Sequence, residues 1–130
     1  MRLLDKPITK KELQQMAEKM FGNLVKAVVD IEREVAAIDA ELHVDLAELL
    51  ISQGSMNKNL WGVNIYPTAI PQRVASGSAE PSMRDTAEDD WLEFDSMINL
   101  KPQFDNRSRS VEDPVIREKI TSILKKLINL

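Results

Sequence analysis

The chain carries a single histidine, His43, with Glu41 two residues before it. If that stretch is extended, residues two apart share a face, and Asp30 can join them from a paired strand. Carboxylates with one imidazole form a ligand set suited to Mn²⁺, Mg²⁺ or ferrous iron rather than to a structural zinc. An ion held by Asp30, Glu41 and His43 would activate water for hydrolysis of a phosphodiester or an amide, with Glu41 and His43 as the catalytic candidates. A plainer account is a solvent-facing strand with scattered charges and a histidine near its end, which needs no metal or other cofactor. The sequence favours this account, because spacing alone on one strand is weak evidence for a site.

A second group is Asn106, Arg107, Ser108 and Arg109, placed just before a helix start. Guanidinium forks and free helix N–H groups both suit a phosphate, a carboxylate or an acidic partner. The competing reading is a structural network, with Glu93, Asp95, Glu112 and Asp113 occupying the arginines. That network is the expectation here, with Arg107 the more deeply tied of the two arginines. A serine hydrolase would need His43 as its base, yet no nucleophile-elbow motif accompanies it. A P-loop, a dinucleotide fingerprint and a zinc-knuckle pattern are also absent from the sequence.

Composition narrows the setting in which these groups act. At 130 residues the chain fits one domain with one adequate core. Its 43% hydrophobic and 29% charged residues exclude a wholly disordered or fibrous protein. With no cysteine, disulfides and thiolate zinc sites are impossible. No apolar run approaches the roughly 20 residues that span a bilayer, and MRLLDKPITKK lacks the apolar centre of a signal peptide. A cytoplasmic protein without membrane contact is expected. The net charge of −4 makes nucleic acid an improbable partner, although a local basic patch can override it.

The elements that must position the candidate residues follow from periodicity and capping signals. Thr9 and Glu12 form a capping box ahead of Leu13, Met16, Ala17, Met20 and Phe21, which predicts a helix over 10–21 closed by Gly22. Residues 24–43 fit a long helix by 3/4 spacing and a hairpin by their density of β-branched residues. The hairpin is preferred, with Val25, Ala27, Val29 and Ile31 going out and Ile38, Ala40 and Leu42 returning, because later strands need partners. Asp45 and Glu48 cap a short middle helix that Gly54 stops. LWGVNIY and WLEFDSMINL alternate as two antiparallel strands, the second with Leu92, Phe94, Ile98 and Leu100 on its inner face. Trp61 and Trp91 read as core residues of these strands. Residues 67–90 hold prolines, small residues and an acidic end, the composition of a flexible insertion. Asp113 and Pro114 open a C-terminal helix whose last turn carries Lys125 and Lys126.

Taken together, FGNLVKAVVDIERE, ELHVD, LWGVNIYP, WLEFDSMINLKP and NRSRSVEDPVIREKI resemble a family of small prokaryotic hypothetical proteins carried as a domain of unknown function. The resemblance spans nearly the whole chain apart from residues 67–90, and it implies no activity, ligand or catalytic residue. The expected fold is therefore a single α+β domain over 1–130. It comprises a mostly antiparallel sheet of about four strands with N-terminal, middle and C-terminal helices, the outer two packing on one face. The expected function is a small non-enzymatic binding or regulatory domain, with a homodimer as one option, that contacts its partner through the loop at 105–113. The alternative is a metal-assisted hydrolase, a nuclease being one form of it, in which Arg107 and Arg109 hold the anion.

Overall fold

The computed structural model describes residues 1–70 and 91–129. The chain begins with β1 (Arg2–Leu4) and β2 (Ile8–Thr9), then α1 (Lys10–Met20). A hairpin of β3 (Val25–Asp30) and β4 (Val35–Ile38) leads into α2 (His43–Ser52) and β5 (Leu60–Ile65). Beyond the undescribed residues lie β6 (Leu92–Glu93), α3 (Pro114–Leu127) and β7 (Ile128–Asn129). Five strands form one sheet in the order β1-β4-β3-β5-β6, and every neighbouring pair is antiparallel. β2 and β7 make a separate parallel pair that ties the start of α1 to the end of α3. The architecture is α+β.

Within residues 24–43, β3 and β4 form the hairpin rather than a helix, and His43 already belongs to α2. Val25, Ala27 and Val29 face one core and Val28 the other, so β3 is buried on both faces, where β-branched side chains pack well. The return strand is shorter than the alternation through Ala40 and Leu42 predicts. Asp39 takes a left-handed φ of 72°, which breaks the extended chain after Ile38. Leu42 then becomes the N-cap of α2, three residues earlier than the Asp45 signal suggests and without a side-chain capping bond.

The sheet is covered on both sides. On one face Leu13 and Ala17 of α1 and Ile120, Ile123, Leu124 and Leu127 of α3 pack against the sheet, with Trp61 and Trp91 buried among them. The outer helices thus share a face. Leu46, Ala47 and Leu50 of α2 pack on the opposite face against Val28, Ala37 and Leu60. α1 opens with the Thr9–Glu12 capping box, and the Gly22 N–H closes it on the Ala17 carbonyl with φ +91°. Asp113 caps α3 by accepting the Val115 N–H at 2.9 Å.

Two expectations are corrected. The N-terminal MRLL adds an unforeseen edge strand, β1. The strand predicted over 91–100 is only two residues long: Ser96 accepts the Ile98 N–H and starts a 3-10 turn over Met97–Asn99. As a result Ile98 joins the smaller core and Leu100 is exposed. Of the insertion expected at 67–90, residues 71–90 lie outside the described residues. Pro67–Ala69 form a 3-10 turn, and both Pro67 and Ile70 are buried.

Candidate functional site

Asp30, Glu41 and His43 are not brought together. Asp30 is fully buried at the end of β3, and its oxygens are spent on structure. Oδ1 accepts the Glu32 and Arg33 N–H groups at 2.9 and 3.0 Å, which closes the hairpin turn. Oδ2 accepts the Ser55 hydroxyl at 2.6 Å, and Arg33 Nη1 donates to the same hydroxyl. Glu41 stands exposed in the bend before α2. The same-face argument for Glu41 and His43 fails because His43 is the first residue of a helix. Among the described residues no group of three or more His, Cys, Asp or Glu side chains is placed to hold a metal ion.

His43 lies at the edge of the region that α2 covers. Its Nε2–H donates to the Val63 carbonyl at 2.8 Å. Burial pushes its pKa below the usual histidine range, outweighing that hydrogen bond, and the charges of Lys26 and Arg109 push the same way against Asp95. The ring is therefore neutral near pH 7. Gly62 makes this packing possible: a Cβ there would sit 2.6 Å from the Ser96 side chain and 3.2 Å from His43 Cδ2.

Beyond His43 the same sheet face turns polar. Lys26 of β3, Asn64 of β5 and Glu93 of β6 are direct register partners and form a row across three strands. Asn64 is 7% exposed, and its Nδ2 donates to Glu93 Oε1 at 2.7 Å. Tyr66 Oη donates to the same oxygen at 3.2 Å. Partial burial, followed by the negative charge of Glu93, raises the Tyr66 pKa, so the phenol keeps its proton. Asn64 Oδ1 is buried and has no hydrogen-bond partner. Sequence reasoning placed Glu93 on a polar strand face but missed Lys26, Asn64 and Tyr66. The available signal was the in-phase recurrence of Lys26 and Asn64 on a face that is otherwise apolar.

The loop after β6 is held by two buried amides. Asn99 bonds the Gly62 backbone and also donates to the Arg109 carbonyl at 2.9 Å. Asn106, 3% exposed, donates from Nδ2 to the carbonyls of Asn99, Ser108 and Ser110 and accepts the Glu112 N–H at 2.8 Å. Glu112 in turn accepts the Arg107 N–H, and hydrogen bonding, led by that from Ser108, lowers its pKa. Lys101 is buried beneath this loop, with Nζ donating to the Ile98 carbonyl and lying 5.1 Å from the Trp61 ring centroid. Burial lowers its pKa.

Of the expected arginine network, only part forms. Arg109 Nε meets Asp95 at 2.8 Å with both side chains about half exposed. Arg107 is 3.6 Å from Asp105, with the side chains 70% and 93% exposed, and its guanidinium is not held by Glu93 or Glu112. Arg107, Ser108 and Arg109 all face outward on a loop whose backbone Asn106 fixes from within.

A family model described as "Protein of unknown function (DUF5674)" matches residues 2–127. No curated protein and no solved structure matches the chain.

Proposed function

The chain belongs to the DUF5674 family, and we propose that it acts as a small non-enzymatic binding domain whose contact surface is the loop at 105–113. The observation that carries this reading is the buried Asn106. By satisfying three loop carbonyls and one N–H from inside, it fixes the backbone while leaving Arg107, Ser108 and Arg109 exposed. A surface already ordered in the free protein avoids the entropic cost of ordering on association. Met97 and Phe104, 63% and 52% exposed, lie in the same connection between β6 and α3. A connection that exposes arginine, aromatic and methionine side chains has the composition of interface centres. The partner that fits is a protein surface with acidic groups around an apolar patch, met in the cytoplasm. Among the described residues no helix is long and apolar enough to cross a membrane. No cofactor enters the proposal.

The test is to immobilise the parent protein and an Arg107→Glu/Arg109→Glu variant, compare what each retains from cell extract, and reconstitute the difference with purified components. A purified partner, or a second copy of this chain, that binds the parent and loses at least tenfold in affinity for the variant supports the reading. Equal binding to both proteins removes the loop as the contact surface.

A further inference from the structure

Building on the reading of 105–113 as the contact loop, we propose that the backbone N–H groups of Arg107 and Ser108 form a carboxylate-binding site whose resident occupant is the chain's own Glu112. An acidic side chain of the protein partner displaces Glu112 and takes its place.

The Arg107 N–H donates to Glu112 Oε2 at 3.0 Å. The hydroxyl and the N–H of Ser108 donate to the same carboxylate, and these bonds, led by the hydroxyl's, lower its pKa and keep it ionised. Successive N–H groups that converge on one anion make a nest, a backbone arrangement suited to carboxylates. Ser108 Oγ also accepts the Ser110 N–H at 3.3 Å, which helps to aim the hydroxyl. Asn106 sets the backbone of the nest from within, through the Ser108 and Ser110 carbonyls and the Glu112 N–H, none of which depends on the Glu112 side chain. The site is separate from the start of α3, where Asp113 already caps the Val115 N–H.

Asp30 makes the same kind of contact in the β3–β4 turn, accepting two successive N–H groups and a serine hydroxyl, but it does so fully buried. Glu112, Arg107 and Ser108 are all exposed, so an incoming carboxylate reaches the donors directly from solvent. The Arg107 guanidinium, near enough for its charge to act on Glu112 and only loosely placed 3.6 Å from Asp105, is available for the second oxygen of that carboxylate. Because Glu112 is tethered beside the nest, it competes at a high effective concentration. A single free carboxylate therefore loses to it, whereas a partner that brings several acidic groups prevails. Glu112 thus lowers the affinity by the fraction of time that the nest is filled and screens out small acids.

The experiment is an NMR titration of the full chain, in parent and variant forms, with blocked hexaglutamate and with blocked hexaglutamine as the neutral control. In Glu112→Ala the Arg107 and Ser108 amide protons should move upfield as they lose the carboxylate, while the remaining loop amides keep their positions. Hexaglutamate should bind this variant about fivefold or more tighter than the parent and return both protons towards their parent positions. Adding Ser108→Ala to Glu112→Ala should remove most of the gain. Asp105→Asn makes the same change of charge beside Arg107 and should raise the affinity by no more than about twofold. The proposal is overturned if Glu112→Ala gains no affinity, if Asp105→Asn or hexaglutamine matches it, if the two protons do not return, or if the loop loses its shape without Glu112. Hexaglutamate binding that is lost in Arg107→Glu/Arg109→Glu but unchanged in Glu112→Ala overturns the displacement by Glu112 while leaving the loop as the contact surface.

Discussion

The side-chain amide of Asn99 hydrogen-bonds both backbone groups of Gly62, accepting its N–H at 2.8 Å and donating to its carbonyl at 2.9 Å. β6 stops pairing with β5 after the Asn64–Glu93 register pair, and at the next outward-facing residue of β5 a side chain takes the place of a strand. The edge of the sheet is thus satisfied without a ladder, and the chain is free to turn away into the loop that carries the arginines.

Asn99→Ala should therefore be among the most destabilising polar substitutions in the protein. It leaves a buried N–H and a buried carbonyl of Gly62 unpaired, at a cost of about 2–4 kcal/mol in urea denaturation. Asn99→Asp should be no better, because a carboxylate cannot donate to the carbonyls of Gly62 and Arg109. Parent-like stability in Asn99→Asp would show that these two bonds are dispensable.

Gly62→Ala tests the other half of the same junction. The added methyl meets Ser96 Cβ and Oγ at 2.6 Å, a contact that β5 or the Ser96 turn must relieve by shifting, at about 1–3 kcal/mol. Ser96→Gly removes the obstructing atoms. The double variant should accordingly be more stable than the sum of the single effects by about 1 kcal/mol. Strict additivity would place the strain elsewhere.

The pH dependence of stability should carry the signature of His43. Its folded pKa lies below its ordinary value of 6.5, so between the two values the unfolded state binds more protons than the folded one. The stability it contributes is complete above pH 6.5 and is lost as pH falls through that window, at no more than about 1.4 kcal/mol per pH unit. Glu12 and Glu112, with carboxyl pKa values lowered from 4.5, act only at more acid pH. The melting temperature of the parent should fall from pH 7 to pH 5, and that of His43→Gln should fall less. Parallel curves would mean that the ring titrates as freely as in the unfolded chain.

Much of the fold was legible because its signals are local. The Thr9–Glu12 box, the Asp113–Pro114 start and the β-branched run at Val25–Asp30 each act within a few residues. What was not legible depends on contacts made after folding. The side chain of Asn99 replaces a strand only because Gly62 is brought opposite it, so alternation in WLEFDSMINL alone overextends β6. The Lys26–Asn64–Glu93 row exists only once the registers of three strands are set. Asp30 shows the converse: its position just before the Glu32 and Arg33 N–H groups is a local turn signal, and reading it as a metal ligand passed over that nearer use.

The last prediction concerns the two arginines, whose expected order the structure reverses. The sequence points to Arg107 as the tied residue, yet its guanidinium is 70% exposed and 3.6 Å from a carboxylate that is itself 93% exposed. Arg107→Ala should change stability by no more than about 0.5 kcal/mol. Arg109 meets Asp95 at 2.8 Å with both groups about half exposed, so solvent screening limits the pair to about 0.5–1 kcal/mol. Its backbone carbonyl, which accepts from Ser96 N–H and Asn99 Nδ2, survives truncation to alanine, so the measured loss reports the ion pair alone. Urea denaturation of Arg107→Ala, Arg109→Ala, Asp95→Ala and the Asp95/Arg109 double variant should give a coupling for that pair that shrinks in high salt. If Arg107→Ala is instead the costlier substitution, its guanidinium is held in solution by a carboxylate that the structure leaves apart from it. The loop would then be tied down by its arginines as well as by Asn106, and Arg107 would not be available to a partner.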